Sequence, residues 1–253
     1  MKDPCFIPLS TKAIVSLIPT TLNDPFDTNT PEICKIAALY LQTYIHNNHH
    51  KWEHNLGLTP NKNGKAKGKM FGVLVVKNSK KEIGYLSTFS GKLQDEPHPT
   101  VFVPSLFNLA TDNYFISKGM TELSLISNEI NRLEKETLPV LLAIQHLKSE
   151  RKLKSMVLQQ QLFDHYHFLN KSLESKSLCA IFESAGNKKP AAGSGECAAP
   201  KLLQYAYVKN MIPLAIAEFW WGQTTLSAER KHGHFYPSCN EKCRPILDYM
   251  LGK

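Results

Sequence analysis

Apolar positions keep different rhythms in different parts of this chain, and each rhythm predicts an element. Ile33, Ile36, Ala37, Leu39, Tyr40 and Leu41 recur at helical spacing, so a helix is expected over 31–46. Thr30 reads as its N-cap and Pro31 as its first position, where a missing N–H removes no hydrogen bond. Met70 to Lys77 is nearly continuous in apolar side chains, the pattern of a strand covered on both faces. Asn78-Ser79-Lys80-Lys81 reads as a turn, and a second strand over 83–90 completes a hairpin. Residues 1–30, rich in Pro, Thr and Asn, read as an extended lead-in.

The rhythm changes again near Met120. Leu123, Ile126, Ile130 and Leu133 recur every three or four residues, then Pro139 interrupts, and Leu153, Met156, Gln160 and Phe163 resume the period. Two amphipathic helices over 120–172 are expected, folded on each other as an antiparallel hairpin arm. Further on, Cys197 to about Asn210 reads as a helix with Pro200 in its first turn. Leu214 to Trp221 reads as a central strand, and Ser238 as the start of a last helix. The predicted organisation is α/β. The two halves of one core, 1–110 and 177–253, flank the inserted arm.

Composition adds a partner class. The net charge is +8, which favours an acidic partner, most simply nucleic acid, over an inert basic surface. Lysines cluster at Lys62, Lys65, Lys67 and Lys69 on a polar loop, and at Lys148, Arg151, Lys152 and Lys154 on the arm. The second group reads more readily as the solvated face of a helix pair. Trp220 and Trp221 offer rings for base stacking, with at least one of them expected in the core. No apolar run approaches the ~18 residues of a membrane span, and no N-terminal signal is visible, so a cytoplasmic address is expected. Thiols there stay reduced, so the six cysteines read as packing residues or metal ligands, with Cys34 and Cys179 in the packing class.

Candidate metal chemistry gathers near the C-terminus. Ser238-Cys239-Asn240-Glu241 has the form of a capping box, which puts Cys239 and Cys243 one turn apart on one helix face. Cys197 begins another helix. Helix starts favour thiolate, and three thiolates from two such starts make a zinc site that a fourth ligand completes. His232 and His234 are the nearest imidazoles, and His234 is taken as that ligand.

These residues carry two resemblances. Cys197-Ala198-Ala199-Pro200-Lys201 and Pro237-Ser238-Cys239 to Cys243, in this order of helices and strands, resemble the ligand motifs of the cytidine-deaminase-like fold. That resemblance implies a three-layer core, with a mixed sheet between helices. The position of the proton-shuttling glutamate is Ala199, which implies a scaffold that has lost the chemistry. Gly68 to Val76, Phe89-Ser90-Gly91-Lys92-Leu93, Gly193 to Leu203, Ala217-Glu218-Phe219-Trp220-Trp221-Gly222 and His232 to Pro237 together resemble the N-terminal region of long RluA-family pseudouridine synthases. The resemblance implies a role in tRNA or rRNA modification beside a catalytic domain with a His-Arg-Leu-Asp motif. Here only Asn131-Arg132-Leu133-Glu134 approaches that motif, on the arm, so the resemblance assigns no catalytic residue to this chain. Three readings follow: an RNA-binding accessory module, a zinc-dependent deaminase-like enzyme, and a partner-docking protein built on the arm.

Overall fold

The computed structural model describes residues 3–9, 12–52, 54, 56–58, 68–91, 100–106, 114–136, 140–186, 189–224 and 230–253. In chain order the elements are β1 (Ile7–Pro8), α1 (Glu32–Asn48), β2 (Lys69–Lys77), β3 (Ile83–Phe89), α2 (Tyr114–Leu133) and α3 (Leu141–Asp164). They continue with β4 (His167–Leu169), β5 (Ser175–Ser177), α4 (Leu178–Ser184), α5 (Ala198–Val208), β6 (Ile212–Trp221), β7 (Phe235–Tyr236) and α6 (Arg244–Leu251).

Five strands form one sheet in the order β1-β3-β2-β6-β7, and β4 pairs with β5 separately. Every pairing between these strands is antiparallel; among the described residues the one parallel contact is an isolated bridge from Ser87 to Phe102. The mixed sheet expected from the sequence is therefore replaced by a mainly antiparallel one. The β2–β3 hairpin fixes one of these pairs: Asn78 closes its turn by accepting from Lys80 N and Glu82 N. Parallel neighbours need a long crossover instead.

The central strand shows why its sequence is so apolar. Phe71, Val73 and Val75 face α1, where they join Ile33, Cys34, Ala37, Ala38, Leu41 and Ile45 in one core. Leu74 and Val76 face the other way, into a core with Leu202, Leu203 and Ala206 of α5 and Ile246, Leu247 and Met250 of α6. Alternate residues of one strand thus feed two cores, and helices cover both faces. The pairing of β2 with β6 joins the N-terminal and C-terminal halves in one sheet.

Two boundaries depart from the expectation. Helix α1 begins at Glu32, with Pro31 as its extended N-cap (ψ 140°) and Pro31 O accepting from Cys34 N and Lys35 N. Helix α3 leaves Leu153 and Met156 exposed, although the sequence period placed them on a packed face. The contact of α2 with α3 uses Ile130, Leu133 and Ile144, a small core of its own, with Leu158 against Gly119. Cross-helix pairs run Glu122 to Lys154, Ser127 to Arg151 and Glu134 to Lys148. Pro139 lies outside the described residues. Among the described residues, no helix is long and apolar enough to cross a membrane.

Candidate metal centre

Two chain segments deliver three thiols to one place. The first is the start of α5. Gly195 adopts φ +91°, and a side chain there would meet the Tyr166 ring at 3.0 Å, so glycine permits the turn that precedes Cys197. Cys197 is the N-cap of α5 in an extended conformation, and Pro200 follows within the first turn, where its missing N–H is harmless. Ala198 then presses on Gly72 of β2 so closely that a Cβ at Gly72 would sit 2.9 Å from it. Small residues on both sides bring the start of α5 onto the sheet.

The second segment is the turn before α6. The capping box expected at Ser238 does not form. Helix α6 starts at Arg244 with Cys243 as its N-cap, because Pro245 must occupy the first turn of any helix there. The Ser238 hydroxyl points instead into the protein and donates to Glu218 Oε2 at 2.6 Å, while Ser238 N donates to Pro25 O. Cys239 lies in the turn and Cys243 at its end.

The sulfurs of Cys197, Cys239 and Cys243 all lie within 4.8 Å of one another, and the last two are 3.3 Å apart. Tetrahedral zinc with sulfurs at ~2.3 Å requires S···S separations of roughly 3.8 Å, inside this range. None of the three is in a disulfide. Cys243 is buried and the other two are half-buried, so the cluster opens on one side. Hydrogen bonding with the Cys197 and Cys243 thiols, and with the backbone N–H groups of Lys242 and Cys243, pulls the Cys239 thiol well below its ordinary range. Hydrogen bonding to its two neighbours and burial push Cys243 up. A divalent cation bound there would favour the thiolate form of all three.

His234 does not complete the set. It is exposed, and it lies outside the three-cysteine group. Backbone bonds hold its turn against the end of β6: Trp220 N donates to His234 O, and Gly233 N donates to Trp220 O. The His232 ring caps the sheet edge, accepting from Gly222 N at 3.0 Å with its centroid 4.1 Å from that of Trp221. The fourth ligand read from the His-Gly-His run is therefore corrected.

Two charged residues that the sequence reading did not assign flank the cluster. Glu218, 6 % exposed in the middle of β6, accepts from Ala199 N at 3.3 Å through Oε1 and from Ser238 through Oε2. Burial raises its pKa, and these two hydrogen bonds partly offset the rise. Lys201, 1 % exposed and one turn after Cys197, donates to Gly91 O at 3.4 Å and lies over the Phe89 ring. Burial lowers its pKa to about 8, against the pull of Glu196 and Cys197. Both stand inside apolar runs, Ala217-Glu218-Phe219 and Pro200-Lys201-Leu202, and that placement was the available signal. The recess that reaches Glu218, bounded by Asn23, Tyr236 and Ser238, has a volume of about 10 Å³. That is roughly the room of one water.

The basic residues are spread out. Lys62, Lys65 and Lys67 lie outside the described residues. Lys69 opens β2 opposite Trp221, half-buried, with its ammonium pKa lowered by burial. Lys148, Arg151, Lys152 and Lys154 follow one another along α3. Trp220 is buried and donates Nε1–H to Gln223 O, which makes it the core member of the tryptophan pair.

Comparison of the chain with protein-family models, with curated proteins and with solved structures gives no match.

Proposed function

We propose that the chain is an RNA-binding accessory module of an RluA-type pseudouridine synthase, organised by a zinc ion on Cys197, Cys239 and Cys243. The observation that carries the metal part is the convergence of three sulfurs from two separate segments to within 4.8 Å of one another. On this reading the body is a cytidine-deaminase-like scaffold with α2 and α3 as an antiparallel arm, and zinc ties α5 to the turn before α6. The RNA part rests on the net charge of +8, the basic run on α3 and the resemblance of the Glu-Phe-Trp-Trp-Gly and His-Gly-His segments. The Asn131-Arg132-Leu133-Glu134 segment supplies no nucleophile. Arg132 is tied to Glu129 and Glu136, and the aspartate of the family motif is Glu134, paired with Lys148.

One observation favours a second reading, a zinc-dependent deaminase. Glu218 brings a carboxylate to Ala199 N, beside the position where the deaminase motif carries its glutamate. Two facts weigh against it. Both oxygens of that carboxylate already accept hydrogen bonds, and the recess beside it holds about one water rather than a base. The accessory reading is therefore preferred.

The test is an anisotropy titration with labelled tRNA and an rRNA stem-loop. Binding at 50 mM salt that weakens steeply by 200 mM is the expected result. No binding at the lower salt overturns the RNA reading. Release of ammonia from cytidine or adenosine by the zinc-supplied protein replaces it with the deaminase.

A further inference from the structure

Glu218 sits where its function is hard to explain as ordinary packing. It is a carboxylate in the interior of a central strand, with Gly72 opposite on β2 and Tyr236 opposite on β7. Burying such a group costs several kcal/mol unless strong partners meet it. Its partners are one backbone N–H and one hydroxyl, and their origin is the informative point. Ala199 lies two residues after Cys197, and Ser238 lies one residue before Cys239. Each oxygen of one carboxylate therefore holds one of the two segments that deliver thiolates. The bonds have different character: Oε1 accepts from a buried first-turn N–H that α5 itself leaves unpaired, and Oε2 meets a hydroxyl that a capping role would have occupied elsewhere.

We infer that Glu218 is the positioning residue of the three-cysteine centre, a rigid bridge from β6 that sets the distance between the Cys197 and Cys239 segments before a soft divalent metal binds. The inference rests on the metal reading above. Groups that orient metal ligands from outside the coordination sphere typically contribute 10–100-fold in affinity. The strand is well suited to this role, because β6 is paired on both sides and its backbone cannot follow a displaced loop.

The substitutions separate the bridge from its charge. Glu218→Gln keeps an acceptor for Ala199 N and can donate to the Ser238 hydroxyl oxygen, so both contacts survive. Glu218→Ala removes both, and Ser238→Ala removes one. The probe is cobalt(II), titrated into the reduced full chain and followed through its thiolate charge-transfer and ligand-field bands. Wild type and Glu218→Gln are expected to bind within a few-fold of each other, and Glu218→Ala about 10–100-fold more weakly with altered ligand-field bands. Ile45→Ala, in the core on the opposite side of the sheet, is the control for lost stability: its melting temperature falls while its cobalt affinity stays. Wild-type protein that takes no cobalt overturns the metal reading itself. Wild-type protein that binds while Glu218→Ala binds equally well overturns the bridge alone. Should Glu218→Ala not fold, Ser238→Ala decides, since unchanged affinity there also overturns the bridge.

Discussion

Lys201 Nζ lies 3.9 Å from Glu196 Oε2, in a lysine that is 1 % exposed and one helical turn beyond Cys197. The second oxygen of Glu196 accepts from the Tyr166 hydroxyl, so the carboxylate is itself held in place. Folding lowers the lysine pKa from 10.5 to about 8, first of all because burial disfavours the charged form. The unfolded chain therefore binds more protons between those two values, and stability must rise as pH climbs through that window. Equivalently, this contribution is fully present above about 10.5 and lost as pH falls through about 8. Lys201→Met removes the titration. In chelator-treated protein, its stability relative to wild type should be greatest below pH 8, by about 3 kcal/mol from the pKa difference, and the advantage should shrink by pH 10. Urea melts of both proteins at pH 7 and pH 10 measure it; a pH-independent difference contradicts the burial argument.

Gly72 is the seat of α5. A Cβ there would come within 2.9 Å of Ala198 Cβ and 3.0 Å of Leu202 Cδ1. Gly72→Val must push the helix start away from the sheet, and Cys197 moves with it. Overpacking of this kind costs roughly 1–3 kcal/mol. The melting temperature should fall by several degrees and cobalt affinity should drop with it. A variant that melts early but keeps wild-type cobalt affinity would show that Cys197 does not depend on this seat.

Much of this arrangement was legible in the sequence, for physical reasons that differ between elements. The strands β2, β3 and β6 and the helix α5 were readable because each feeds a deep core and cannot vary its pattern. The three cysteines were readable because few thiols occur outside cores and these sat near helix starts. The fourth ligand was misread because His234 belongs to a turn whose backbone is bonded to Trp220, a tie that side-chain spacing does not reveal. The capping box at Ser238 was misread because Pro245 fixes the helix start further along. Glu218 matches no position of the deaminase motif, and Lys201 stands in an apolar run where patterning treats a charge as a surface position, whereas here both are buried. The strands β1, β4 and β5 span two or three residues, too short to show a period.

Metal binding should appear as stability. A ligand at a hundred times its dissociation constant adds about 2.7 kcal/mol to the folded state. Zinc in that excess should raise the melting temperature of the reduced protein, and a chelator should reverse the rise. Cys197→Ser, Cys239→Ser and Cys243→Ser should each abolish the zinc-dependent shift. Their α5 should stay folded, since Ala199, Leu202, Leu203 and Ala206 remain buried against the sheet. Elemental analysis of the purified chain gives the independent check, and a zinc-dependent shift that survives all three substitutions would remove the thiols from the site.

The arm makes the sharpest claim about RNA. Lys148 pairs with Glu134 at 2.7 Å and Lys154 with Glu122 at 3.3 Å, whereas Lys152 has no acidic partner among the described residues. A phosphate contact by either paired lysine must displace a carboxylate, but such exposed pairs are weak and exchange readily. Lys152→Ala should therefore weaken binding uniformly across RNA sequences and reduce the slope of log K against log salt by about 0.7–0.9. Glu134→Gln should do the opposite, strengthening binding by freeing Lys148, and Glu122→Gln should do so less, because Glu150 at 3.5 Å still holds Lys154. Anisotropy titrations at several salt concentrations compare all three with wild type. If none of them changes the slope, RNA does not lie along α3.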